Sequence, residues 1–131
     1  MRTTSYKDLI VWQKAVSLSV ATYELTKQFP KEELFGLTSQ MRRCSISIPS
    51  NIAEGRFRGS KKDYLNFLRI AYASGAELET QIIIAKQLPF KEGIDYNKVE
   101  ALLSEVMRML NAMIRNFNPN SQANEANEAA S

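Results

Sequence analysis

The sequence contains no histidine. That removes the commonest general base at neutral pH and the commonest side-chain metal ligand. It excludes ferritin-like di-iron chemistry, which takes a Glu-x-x-His motif from each of two helices. The single cysteine, Cys44, allows no disulfide within the chain, and a zinc ion would find only one thiolate and some carboxylates. No metal or other cofactor is expected. Four prolines and five glycines in 131 residues supply too few turns for a many-stranded β fold. No apolar run approaches the roughly 18 residues of a membrane span. The stretch Met1–Asp8 is polar and lacks the apolar core of a signal peptide, so a cytoplasmic address is expected.

What is present is helical patterning. Charged residues make up 24% and hydrophobic residues 44%, enough for one domain with a real core. Apolar spacing predicts four helices. The first runs from about Tyr6 to Gln28, with Leu9, Trp12, Val16, Val20 and Tyr23 at steps of three and four, and Pro30 stops it. The second runs from about Lys31 to Arg56, with Leu34, Leu37, Met41, Cys44 and Ile48 on one stripe, followed by Asn51 or Ile52. Pro49 falls inside this pattern. The stripe keeps its phase across the proline, which predicts a kinked but continuous helix, with two separate helices as the alternative. Gly55 and Gly59 flank Arg56, Phe57 and Arg58 and mark an exit loop.

The third helix begins at Ser60, with Asp63 three positions on in a capping-box arrangement, and closes near Gln87. Its seam of Tyr64, Leu68, Ala71, Gly75, Leu78, Ile82 and Ala85 has heptad spacing. Ala71 and Gly75 leave a thin waist for a close neighbour. Asp95 is the expected N-cap of the fourth helix, whose apolar face runs from Val99 to Phe117. Short links between four amphipathic helices read as an all-α, antiparallel up-down-up-down four-helix bundle over 1–117. Residues 118–131 have the composition of a disordered polar tail.

The net charge of +3 is unevenly distributed. Residues 40–70 hold Arg42, Arg43, Arg56, Arg58, Lys61, Lys62 and Arg69 against Glu54 and Asp63, a local net of +5. These seven basic residues are the candidate nucleic-acid contacts, through phosphate. Arg42, Arg43 and Arg69 have no acidic residue at three or four positions on their own helices. Glu77 and Glu79 have no basic one, so Arg42 or Arg43 paired with them across helices is the competing structural reading. Arg56, Arg58, Lys61 and Lys62 gather at the glycine-flanked loop, where exposure is expected. Asn51 and Glu54 form a second polar pair. No nucleophile or base accompanies them, so a structural role is expected there. Among the aromatics, Trp12, Tyr23 and Tyr64 fall on core stripes, while Phe67 and Tyr72 fall off the third seam and suggest an oligomer surface.

Two segments carry a recognisable pattern. Leu37-Thr38-Ser39-Gln40-Met41-Arg42-Arg43-Cys44 leads into Ser47-Ile48-Pro49-Ser50-Asn51-Ile52-Ala53-Glu54-Gly55. Tyr6–Leu9, Val11–Ala15 and Gly75–Thr80 fit the same pattern. The chain resembles the 23S rRNA-intervening-sequence protein family of four-helix bundles over about residues 6–117. The accessory variability proteins of diversity-generating retroelements are similar bundles. The resemblance implies a ring-forming bundle, typically a homopentamer, with no established enzymatic activity. In the retroelement relatives it implies binding of nucleic acid and of a reverse transcriptase. The family usually has alanine where Cys44 stands, and the thiol is expected to act as a small hydrophobe. The expectation that follows is a non-enzymatic homo-oligomer binding RNA, another nucleic acid or a ribonucleoprotein partner. A protein-interaction scaffold without a nucleic-acid role is the alternative.

Overall fold

The computed structural model describes residues 5–117, and among them it is all-helical with four α-helices and no strand. The fourteen residues 118–131, read from composition as a polar tail, lie outside the described residues. Ser5 caps a 3-10 turn, Tyr6–Asp8, by accepting from the Lys7 amide. Leu9 is extended, and helix α1 then runs Ile10–Thr26. A second 3-10 turn, Lys31–Glu33, precedes helix α2, Leu37–Arg58. Helix α3 spans Lys61–Gln87 and α4 spans Asn97–Phe117. No helix of the described residues is long and apolar enough to cross a membrane.

Helix α1 packs on α2 and α4, and α3 packs on the same two. The interior is filled along one seam of each helix. The α3 seam is the expected one: Leu68, Ala71, Gly75, Leu78, Ile82 and Ala85 are all buried. Burial of each large aliphatic side chain contributes about 1.5–3 kcal/mol. The waist is real. A methyl group at Gly75 would stand 2.2 Å from Met107 Sδ of α4.

The α1 seam differs from the expected one. Val11, Ala15, Leu18, Thr22 and Leu25 face the core, while Val20 is 54% exposed. Apolar residues occur all round this helix, so their spacing does not fix which face turns inward. Small residues do, because they let α2 and α4 approach. Thr22 and Thr26 are buried by donating their hydroxyls back to the carbonyls of Leu18 and Thr22, both at 2.8 Å.

Helix α2 starts six residues later than expected, after Gly36, and it continues to Arg58. Pro49 lies inside it as a buried residue of one continuous helix, so the two-helix alternative is set aside. Gly55 is not a loop residue. It is buried in the helix, where an added Cβ would stand 2.6 Å from Phe67 Cβ of α3. The turn is made by Gly59 alone, at φ 86°, a conformation that favours glycine. Ser60 then caps α3, its hydroxyl accepting from the Asp63 amide at 3.0 Å. Asp95 likewise accepts from the Asn97 amide at 2.9 Å, as expected of a cap on α4.

Candidate nucleic-acid interface

The Gly59 turn sets the site. It reverses the chain between the last turn of α2 and the first turn of α3, so Arg56 and Arg58 meet Lys61 and Lys62 at one corner. Arg58, Lys61 and Lys62 are exposed and Arg56 is half-buried. Phe57, between the two arginines, is 81% exposed. Four cations and a bare aromatic ring therefore share one turn. Cations attract phosphate, and an exposed ring offers a face to an unstacked base.

Local contacts position these groups. The Arg58 guanidinium lies over the Phe67 ring, 5.1 Å from its centre, and 3.8 Å from a Glu54 carboxylate oxygen. Both partners of that ion pair are half-exposed, so it tethers the arginine only loosely. A concavity of about 240 Å³ beside the turn is lined by Arg56, Lys61, Tyr64 and Phe117 among others. The Tyr64 ring packs at a tilt against Phe117, 5.2 Å between centres, and its buried hydroxyl has no hydrogen-bond partner among the described residues. Burial raises the Tyr64 pKa above its ordinary value, against the opposing pull of Arg56.

The other predicted contacts sit elsewhere. Arg42 and Arg43 lie near the start of α2, about 20 Å along the helix axis from Arg56. Arg42 is committed to α1: its Nε donates to Thr26 Oγ1 at 2.9 Å and its guanidinium covers the Tyr23 ring at 4.7 Å. Arg43 and Arg69 are exposed. The ion pairs among the described residues are Lys14–Glu105, Glu54–Arg58 and Lys86–Glu100, so neither Arg42 nor Arg43 pairs with Glu77 or Glu79. Glu77 instead accepts from the Cys44 thiol at 3.1 Å, and Glu79 is exposed beside a groove between α3 and α4.

Asn51 and Glu54 do not act as a unit. Asn51 Nδ2 donates to the carbonyl and hydroxyl of Ser47 at 2.7 and 2.9 Å, while Glu54 turns to Arg58. The Cys44 thiol is more than a small hydrophobe. Burial, then the hydrogen bond and charge of Glu77, push its pKa up to about 12, so it stays protonated and unreactive at neutral pH. Phe67 is not a free surface ring, since it packs on Gly55 and carries Arg58. Tyr72 is half-buried in the groove between α3 and α4.

Sequence reasoning passed over two groups. Phe57 was visible as an aromatic between two arginines beside a glycine, a stacking signal in plain view. Phe35, 94% exposed, lies with Leu34 and Ile46 beside Arg42 and Arg43 around a hollow of about 500 Å³. Its exposure had no signal, because Leu34 and Leu37 place it within an apolar run.

Compared with protein families, the chain matches over residues 7–112 a family described as 23S rRNA-intervening sequence protein. Compared with curated proteins, it matches none.

Proposed function

Because the chain belongs to the 23S rRNA-intervening sequence protein family, we propose that it is a non-enzymatic, homo-oligomeric bundle that binds RNA through the corner at Gly59. The observation that carries this reading is the placement of Arg56, Arg58, Lys61 and Lys62 at one turn with the exposed ring of Phe57. Single-stranded RNA suits it best, since an exposed ring needs an unstacked base. Assembly into a ring, a homopentamer in our reading, repeats the corner around an axis. Each modest contact then gains avidity.

In this reading the helices alternate up-down-up-down with a bend at Pro49. Contacts of Tyr64 with Phe117 and of Lys86 with Glu100 support the alternation of α3 and α4, since each joins the start of one helix to the end of the other. The protein works in the cytoplasm. Kinship with the accessory variability proteins of retroelements, and with it a reverse transcriptase as partner, is an extension of the same reading.

Alanine at Phe57, Arg58, Lys61 and Lys62 together tests the site. Affinity for a single-stranded RNA should fall at least about tenfold, or about 1.4 kcal/mol, while the helical content and assembly state hold. Unchanged affinity would reject the corner as the binding site.

A second reading is a protein-interaction scaffold with no nucleic-acid role. The exposed Leu34, Phe35 and Ile46 around one hollow favour it, because a contiguous apolar patch marks an interaction surface. Under this reading partner capture survives the four alanine substitutions and fails on Phe35→Ser.

A further inference from the structure

A polar cleft of about 510 Å³ lies between α2 and α3, away from the basic turn. It falls in the size range of small-molecule pockets, about 300–1,000 Å³. Arg43, Cys44 and Ser47 line it from α2, and Ser74, Glu77 and Gln81 from α3. Part of this lining is satisfied internally. The Ser47 and Ser74 hydroxyls are 2.9 Å apart, and the Cys44 thiol reaches the Ser74 carbonyl at 3.0 Å and Glu77 Oε2 at 3.1 Å.

One feature has no such internal account. Gln81 is only 7% exposed, yet its amide oxygen has no hydrogen-bond partner among the described residues. Buried acceptors are rarely left so in native proteins. The terminal torsion of a glutamine is soft, so this oxygen can turn toward the cleft at small cost. Arg43 and Glu77, both exposed to solvent, line the same cleft with opposite charges and form no ion pair with each other, so both are open to a ligand. The Cys44 thiol occupies one oxygen of Glu77 and leaves Oε1 for another donor.

We propose that this cleft binds a small zwitterion, an α-amino acid, whose ammonium group donates to Gln81 and Glu77 and whose carboxylate accepts from Arg43. A ligand with only one charge would engage only one of these two side chains. A ligand with both spans the gap that the two side chains leave open. Gln81 supplies a second acceptor beside Glu77 for an ammonium group, whose third donor faces solvent. The site is separate from the RNA corner, about 20 Å along α2, and stands or falls independently of it.

The test is a titration of the isotope-labelled full chain with free L-amino acids at millimolar concentration, followed by backbone amide shifts. Each amino acid is compared with its N-acetyl derivative and its carboxamide. The expected result is saturable shifts at residues 43–47 and 74–81 for at least one amino acid. Either blocked derivative should bind at least about tenfold more weakly. Arg43→Met and Glu77→Gln should each lower the affinity by a similar factor, and Gln81→Leu should lower it too. Arg43 is exposed, so its replacement leaves the fold intact and decides the matter even if Gln81→Leu does not fold. Absence of saturable binding, shifts confined to other residues, or affinity unchanged in both charge variants would overturn the proposal.

Discussion

The Ser19 hydroxyl lies 2.8 Å from the carbonyl oxygen of Ser45, the very carbonyl that Pro49 leaves without its backbone donor. In an uninterrupted helix the amide of the residue at 49 would donate to that oxygen. Proline has no N–H. A hydroxyl from α1 takes its place, so the proline in α2 is tolerated because of a serine on a neighbouring helix. The same hydroxyl approaches the Ala15 carbonyl at 3.1 Å, which fixes its position on α1.

Ser19→Ala should therefore cost about 1–3 kcal/mol of stability, the penalty of a buried acceptor left unpaired. Pro49→Ala restores an amide aimed at the same oxygen. Chemical denaturation of the two single variants and the double variant gives the coupling between them. The Ser19→Ala penalty should shrink by at least about 0.5 kcal/mol in the Pro49→Ala background. Strict additivity would show that Ser19 does not serve the proline.

This relationship marks where the sequence stopped being readable. The α3 seam was legible because Leu68, Leu78 and Ile82 fall on one heptad-spaced line with small residues between them, and every charged residue of the helix lies off that line. Helix α1 was not, because its apolar residues surround the helix and its interior positions include Ser19, Thr22 and Thr26. Their hydroxyls become compatible with burial only once their carbonyl partners are known. Asn51, two residues beyond Pro49, bonds to Ser47 and leaves the Ser45 carbonyl to Ser19. The basic corner was legible as composition. Its separation from Arg42 and Arg43 was legible in the glycine-flanked loop, but the partners of Arg42 were not, since Tyr23 and Thr26 rather than Glu77 or Glu79 draw it onto α1.

Two glycines in the helices should answer differently to alanine. At Gly75 the new methyl meets the sulfur of Met107, the mobile end of a flexible side chain. Helix propensity favours alanine by about 1 kcal/mol, so Gly75→Ala should be tolerated within about 1–2 kcal/mol of wild type as Met107 repacks. At Gly55 the methyl meets Phe67 Cβ, which cannot move without its backbone. Gly55→Ala should be the more destabilising of the two in urea unfolding. The reverse order would show that α2 and α3 are not as closely apposed as Gly55 indicates.

The Cys44 thiol gives a pH dependence with a definite sign. Its folded pKa is raised from an ordinary 9.0 to about 12, so the folded state favours the neutral thiol. The stabilisation is fully present below pH 9 and is lost as pH rises toward 12. Cys44→Ala should flatten this alkaline slope in denaturation curves measured across the window. Native protein should also react with iodoacetamide at pH 8 far more slowly than free cysteine does. Rapid alkylation of folded protein would contradict the buried, Glu77-bound thiol.

The cation–π contact of Arg42 on Tyr23 predicts a structural rather than a ligand role. Arg42→Ala should lower stability by about 0.5–2 kcal/mol through loss of that contact and of the bond to Thr26. RNA affinity should change by less than about twofold. A large loss of affinity in a fully folded Arg42→Ala protein would move the interface to the start of α2.

The most direct test of phosphate-led binding at the Gly59 corner is the salt dependence of RNA affinity. With the four cations Arg56, Arg58, Lys61 and Lys62 engaged on one protomer, the logarithm of the binding constant should fall against the logarithm of salt concentration with a slope of about −2 to −3 for a single strand. Removing Lys61 and Lys62 should make that slope shallower by about one to one and a half. A binding constant that stays level from low to moderate salt would contradict the account.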